Sequence, residues 1–200
     1  MTRWAMVIDL WSCIGCNACT MACKAEHATP PGVFWRKVLE QEVGRYPAAR
    51  RVFLPVLCNH CAEPPCRDVC PTGATWKRDD GIVLVDYDQC IGCRSCIEAC
   101  PYDARTFYAD RATYFPGVTT PYEQAQQTFP DGVVMKCTFC VERVDVGLQP
   151  ACVQSCPTEC LYFGDFDDPE STVSRLVAEK KARGLLPEKG TGPSVFYFGG

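Results

Sequence analysis

The chain has only two histidines in 200 residues, no long apolar run and no large excess of either charge. Each shortage excludes something. The longest uninterrupted apolar run, residues 52–58, is seven positions long and contains Pro55, where a transmembrane helix needs about 20; no direct membrane span is expected. Twenty Lys and Arg stand against 24 Asp and Glu, for a net charge of −4, and no basic run among them offers a surface for nucleic acid or anionic lipid. Arg3 and Asp9 bracket only five uncharged residues, too few for the apolar core of a cleavable leader, so no leader is expected. Nor is there a nucleotide-binding glycine loop, a flavin motif or a nucleophile–base set. No catalytic residue is assigned. Apolar content of 47% and charge of 22% are those of an ordinary globular chain.

Cysteine is what the chain has in excess, with 17 in 200 residues. A disulfide scaffold is the first reading to weigh. Against it stand the length of the chain, the odd count and the grouping of the cysteines into four compact motifs. These are Cys13-x2-Cys16-x2-Cys19-x3-Cys23, Cys58-x2-Cys61-x4-Cys66-x3-Cys70-Pro71, Cys90-x2-Cys93-x2-Cys96-x3-Cys100-Pro101 and Cys137-x2-Cys140-x11-Cys152-x3-Cys156-Pro157. Zinc sites typically combine two separated Cys-x2-Cys pairs, and a run of three Cys at x2, x2 is not that pattern. It is the bacterial 4Fe-4S signature, in which three thiolates of one run hold one cluster and the fourth Cys ligates the neighbouring one.

Two motifs have this spacing and two widen its second gap, to x4 and x11, and the four together predict four 4Fe-4S clusters. From Cys58 to Tyr108 the chain reads as a complete two-cluster ferredoxin: a motif, a Pro71-Thr72-Gly73-Ala74 turn, a strand at 75–77, an Asp79-Asp80-Gly81 hairpin turn, a strand at 82–85 and the next motif. The second and third motifs therefore exchange their fourth ligands, and the first and last are left to pair. The expected metal-ligand sets are Cys13, Cys16, Cys19 and Cys156; Cys23, Cys137, Cys140 and Cys152; Cys58, Cys61, Cys66 and Cys100; Cys70, Cys90, Cys93 and Cys96. The predicted fold class is α+β, with two interleaved ferredoxin-like units organised by their clusters. One unit is built from residues 1–57 plus 133–200, and the other, 58–110, is inserted within it.

Further elements are predicted as a strand at 4–10, helical turns at 18–26, 93–100 and 150–156, and a C-terminal strand at 194–198. Asp168 followed by Pro169 predicts the N-terminus of an amphipathic helix running to about Arg183 and ended by Gly184. Two stretches lack cysteine. Residues 24–57 carry Phe34, Trp35 and Tyr46 among charges, and 111–132 reads as a long loop; loops of that length are commonly functional, so contact with a partner subunit is one reading of it and a solvated excursion the other. Cys160 fits no motif and is read as a small buried residue beside the last cluster. His27 and His60 are not assigned as ligands, because sixteen cysteines already fill the register.

The motifs resemble those of a known family, the four-cluster iron-sulfur subunits of the molybdopterin oxidoreductases, such as polysulfide, thiosulfate, dimethyl sulfoxide and arsenate reductases. The resemblance runs from Asp9-x3-Cys13-Ile14-Gly15-Cys16 through Leu57-Cys58-Asn59-His60-Cys61-Ala62-Glu63-Pro64-Pro65-Cys66 to Lys136-Cys137-Thr138-Phe139-Cys140 and Phe163-Gly164-Asp165. It implies the same exchange of ligands, first motif with last and second with third. Some relatives replace the second Cys of the third motif and carry a 3Fe-4S cluster; Cys93 is present here, which implies four cubanes. Membrane-anchored formate dehydrogenase relatives add a C-terminal transmembrane helix that is not expected here. Glu159-Cys160 departs from the Gly-Ala or Glu-Ala that follows Cys-Pro-Thr in others.

The role implied is electron transfer between a molybdopterin-containing catalytic subunit and a membrane quinone-reactive subunit or another redox partner. Relatives of this kind often cross the membrane folded, carried by a partner's leader, so the extracytoplasmic (periplasmic) side is expected, with the cytoplasm as the alternative. Competing readings are a free-standing soluble polyferredoxin and an electron-transfer subunit of a hydrogenase or formate-oxidising complex.

Overall fold

The computed structural model describes residues 2–109, 115, 117, 118, 120, 121, 124 and 129–200. The 111–132 loop, weighed as a partner contact, therefore lies largely outside the described residues.

The first strand, β1 (Trp4–Asp9), reads WAMVID, and its four central residues are fully buried. An apolar run without alternation is what a strand covered on both faces requires. Its partners come from the far end of the chain: β8 (Leu161–Asp165) pairs antiparallel to it and β9 (Val195–Phe198) parallel, giving the order β8-β1-β9. Ala5 and Val7 face the helix α6 (Thr172–Lys180) through Val173, while Met6 and Ile8 face the main core with Phe139, Phe163 and Val195. Segments from opposite ends of the chain thus close one three-stranded sheet.

The remaining elements are short. The helix α1 (Ala18–Glu26) follows the first cysteine motif, and α2 (Pro65–Asp68), α3 (Ser95–Glu98), α4 (Val141–Val144) and α5 (Ala151–Gln154) are single turns within the others. A small hairpin pairs β4 (Thr75–Lys77) with β5 (Val83–Val85). The strands β6 (Thr106–Tyr108) and β7 (Val133–Met135) pair antiparallel across the partly described loop. The helices pack in the order the sheets suggest: α1 lies against α5, and α2 against α3.

Three features differ from the sequence reading. Residues 24–57 contain a long hairpin, β2 (Arg36–Val43) against β3 (Arg50–Leu57), in register from Arg36 opposite Leu57 to Val43 opposite Arg50. Its root is buried and its tip exposed, and Pro55 is tolerated because a two-stranded sheet consists of edges. The helix α6 starts later than Asp168-Pro169 predicts. Ser171 is its N-cap, accepting the Ser174 N–H at 3.1 Å, whereas the Asp168 carboxylate accepts the Glu170 N–H at 2.9 Å and so closes the preceding turn. The same helix ends at Lys181 in the left-handed conformation, before Gly184.

Candidate metal centre

Each motif opens with the same backbone device. The residue before the second Cys has a positive φ in all four: Gly15 at 68°, His60 at 41°, Gly92 at 66° and Phe139 at 54°. This left-handed residue bends the Cys-x2-Cys loop back on itself. Glycine is required where the space is closed: a Cβ on Gly15 would lie 2.3 Å from the Phe53 ring, and one on Gly92 would lie 2.0 Å from the Gly132 carbonyl oxygen. The two non-glycine cases stack on each other, His60 on Phe139 at 3.8 Å between ring centroids. The third Cys of each motif then sits in a helix, Cys19 in α1, Cys66 in α2, Cys96 in α3 and Cys152 in α5. In α1 the fourth Cys is one helical turn on, about 6 Å along the axis, which carries its thiol away from the other three.

Two cavities collect thiols from different motifs. One is lined by Cys58, Cys61 and Cys66 together with Cys100, and by Pro64, Val83 and Arg105. The other is lined by Cys90, Cys93 and Cys96 together with Cys70, and by Thr75, Val134 and Arg105. At the outer end, burial together with the charges of Cys137, Cys152 and Cys140 pushes the Cys23 thiol well above its usual range. Cys156 lies 3.5 Å from Cys160 between sulfurs, and burial, with Cys156 and Cys13 adding to it, pushes Cys160 up to about 12. Neighbouring groups also influence one another: Cys66 and Cys96 share an apolar cluster with Val134, Cys58 raises Cys137, and Cys19 raises Cys152. Cys16 and Cys93 are the two exposed cysteines.

The donors fit an iron-sulfur cluster better than a single metal ion. Among the described residues no three His, Cys, Asp or Glu side chains converge on one point, as a tetrahedral zinc with Zn–S near 2.3 Å demands. The thiols surround a volume instead. Burial, with the charges of Cys58, Cys66 and Cys100 added, pushes Cys61 up to about 12, and Cys140 is likewise pushed up to about 12. Such crowded thiols ionise when cationic metal centres supply the opposing charge. Buried donors also lack partners among the described residues: Arg36 Nε and Nη2, and His60 Nε2. Cluster sulfides are acceptors for such groups. A bound 4Fe-4S cluster supplies reversible uptake of an electron; the chain supplies its thiolates, its shielding from water and the surrounding charge.

The two histidines take no common role. His60 is fully buried, and its Nδ1 accepts the Val83 N–H at 3.1 Å, so its other nitrogen carries the proton. Burial, with Lys136 and Arg105 nearby, holds it well below the usual histidine range. His27 Nε2 lies 3.2 Å from the Cys140 sulfur, and burial lowers its pKa as well. Cys160 is 3% exposed and packs in the main core. Sequence reasoning missed the buried cations, of which Arg36, Arg105 and Lys136 lie deepest. No spacing rule marks them, and the nearest signal is Lys136 standing directly before Cys137.

Cavities that each gather four thiols from two motifs, with the buried Arg105 beside them, define a class: iron-sulfur electron-transfer proteins. Comparison with known proteins makes this particular. The 4Fe-4S dicluster domain matches residues 49–115 and 117–166, and a second dicluster description matches 12–74. The chain is 46% identical to a Halobacterium salinarum protein named as a dimethyl sulfoxide reductase iron-sulfur subunit, over 100% of this chain and 80% of the relative. It is 40% identical to the arsenate respiratory reductase iron-sulfur subunit of Shewanella sp., over 98% of this chain and 95% of the relative. With the menaquinone reductase iron-sulfur cluster-binding subunit of Nitratidesulfovibrio vulgaris it shares 37% identity, over 98% and 88% respectively. The chain belongs to the 4Fe-4S dicluster family, among the iron-sulfur electron-transfer subunits of the molybdopterin oxidoreductases.

Proposed function

We propose that the chain holds four 4Fe-4S clusters in two interleaved ferredoxin-like units and relays electrons between a molybdopterin catalytic subunit and a membrane quinone-reactive or other redox partner. The proposed ligands are Cys13, Cys16, Cys19 and Cys156 for the first cluster; Cys23, Cys137, Cys140 and Cys152 for the second; Cys58, Cys61, Cys66 and Cys100 for the third; Cys70, Cys90, Cys93 and Cys96 for the fourth. The observation that carries this reading is the make-up of the two cavities. Each is lined by three thiols of one motif and the fourth thiol of the other. The proximity of Cys23 to Cys137, Cys140 and Cys152 supports the same exchange at the outer end, as does the pairing of β1 with β8.

A relay needs an entry, an exit and short steps between. The shared apolar cluster of Cys96 and Cys66, and the electrostatic influence of Cys58 on Cys137 and of Cys19 on Cys152, order the four sets in one unbranched series. Its two ends are the sets with an exposed thiol, Cys93 and Cys16, each beside an exposed isoleucine, Ile91 and Ile14. Relatives named for reductases of dimethyl sulfoxide and arsenate, and for menaquinone reductase, support a catalytic partner at one end and a quinone-reactive one at the other. No helix among the described residues is long and apolar enough to cross a membrane.

The test is spectroscopic and chromatographic. Anaerobically purified protein is expected to hold about sixteen iron atoms per chain and to give EPR signals of four interacting 4Fe-4S clusters on reduction. In native extract it is expected to co-elute with a much larger catalytic chain; elution near its own 22.2 kDa favours a free polyferredoxin and overturns the reading as part of a complex. Placement on the extracytoplasmic side belongs to the same proposal. Fractionation of cells with and without the catalytic partner's leader is expected to move the protein between compartments, and cytoplasmic retention beside an intact partner would count against it.

A further inference from the structure

Three cations lie deepest in the interior, and none is paired with a carboxylate among the described residues. Arg36 and Lys136 are 1% exposed and Arg105 is 4% exposed. Burying a charge without a counter-ion is costly, so each must answer an anion, and what surrounds them is cysteine. Arg105 donates from Nη2 to the Cys66 sulfur at 3.0 Å and from Nη1 to Thr75 Oγ1 at 3.1 Å. It lines both inner cavities and acts on Cys58 and Cys66 in one and Cys96 in the other. Lys136 Nζ donates to the Val83 carbonyl and, at 2.7 Å, to the Cys137 carbonyl; its charge faces Cys58 and Cys66 on one side and Cys137 on the other. Arg36 Nη1 lies 3.7 Å from the Cys152 sulfur and 3.5 Å from Met6 Sδ, and the same guanidinium faces Cys19. Arg105 thus lines two thiol sets, the charges of Lys136 and Arg36 each act on two, and no two cations share the same pair.

We propose that Arg105, Lys136 and Arg36 are positioning charges of the electron path, one at each junction between successive thiol sets, and that each raises the reduction potential of the two clusters it separates. The proposal rests on the four-cluster reading above. A thiolate-ligated cluster is anionic and gains further negative charge when reduced, so a fixed cation within a few ångströms stabilises the reduced form most. Net charge and hydrogen bonds to sulfur are among the factors that set such potentials, and low polarisability in the interior strengthens the effect. A cation at a junction acts on both sides at once, so electron transfer between neighbours does not run into one cluster left uncompensated. The unpartnered Arg36 Nε and Nη2 are further donors available to the clusters at that junction.

The test is an EPR-monitored redox titration of the whole chain in its complex, for Arg105→Gln, Lys136→Gln and Arg36→Gln, with iron counted for each. Arg105→Gln is expected to lower the potentials of the two clusters of the 58–100 segment by at least a tenfold loss in the reduction equilibrium, about 59 mV for a one-electron couple. The other two clusters are expected to stay within error. Lys136→Gln and Arg36→Gln are expected to move the affected pair along the series by one junction each. Arg105→Lys keeps the charge and is expected to restore the potentials. Full iron with unmoved potentials, or an equal shift of all four clusters, overturns the proposal. Where a Gln variant sheds iron, its charge-keeping partner is titrated instead, and a shift there as large as that expected for loss of charge also overturns it. An iron content well below sixteen in the unmodified chain is a different failure, that of the four-cluster reading itself.

Discussion

Gly92 shows how one residue governs a motif. Its φ of 66° is open to glycine at no steric cost, and the Gly132 carbonyl stands where a Cβ would go. Gly92→Ala is expected to cost at least the 1–3 kcal/mol of a forced left-handed residue and to strip iron selectively from the Cys90 set. Iron counting beside a melting curve checks both. Ligand exchange is also tested at single residues. Cys23→Ser is expected to perturb the cluster proposed on Cys137, 114 positions away in the sequence, and to leave the one on Cys13 fully thiolate-ligated. An EPR change confined to the Cys13 cluster would contradict the exchange. Cys160→Ala, by contrast, is expected to keep the full iron content, since that thiol is surplus to all four sets.

Among elements, the regular structure is too short to stand alone. The helices α2 to α5 are single turns, far below the length at which isolated helices persist in water, so their geometry depends on what they pack against. Two helices reach nine residues, α1 and α6, and of these α6 carries no cysteine. With a side-chain cap at Ser171 and the fully buried Val173 set against the β1–β8 sheet, it behaves as an ordinary amphipathic helix. Ser171→Ala is expected to lower stability by about 1 kcal/mol without altering iron content or EPR, a result that separates this support from the cluster-bearing part. The β2–β3 hairpin has two jobs at two ends: its root brings Arg36 into the core, and its outer half stands in solvent with Leu39 half exposed.

Across the molecule, the core and the proposed ligand sets are the same place. The largest apolar cluster includes Cys19, Cys23, Cys58, Cys137 and Cys152 beside Met6, Trp35, Phe139 and Phe163. Metal binding of this kind is folding free energy. Chelation of reduced protein is therefore expected to unfold the chain, with loss of iron absorbance and of far-UV circular dichroism in one transition. A chelated chain that still melts cooperatively would show that apolar packing suffices.

The chemistry is legible in the order of residues alone. Cysteine spacing is local information, and it is enough to read iron-sulfur motifs, to choose between zinc and 4Fe-4S, and to anticipate the short strand at 75–77 beside the ligands. It also suggests which motifs meet, because the 58–108 segment carries a complete internal pattern. The long hairpin is less legible: its strands alternate weakly, with Glu40, Glu42, Arg50 and Arg51 diluting the apolar positions, and its buried root is decided by contacts elsewhere. The places of Arg36, Lys136 and Arg105 emerge in three dimensions only. A basic residue in sequence looks like solvated surface, and whether it is one depends on which distant segments close over it. Here the sheet β8-β1-β9, the hairpin root and the β6–β7 pair enclose the three cations among thiols contributed from residues 19 to 152. Spacing along the chain records which thiols belong to one loop, whereas charge burial is a property of the assembled volume and has no period in the sequence.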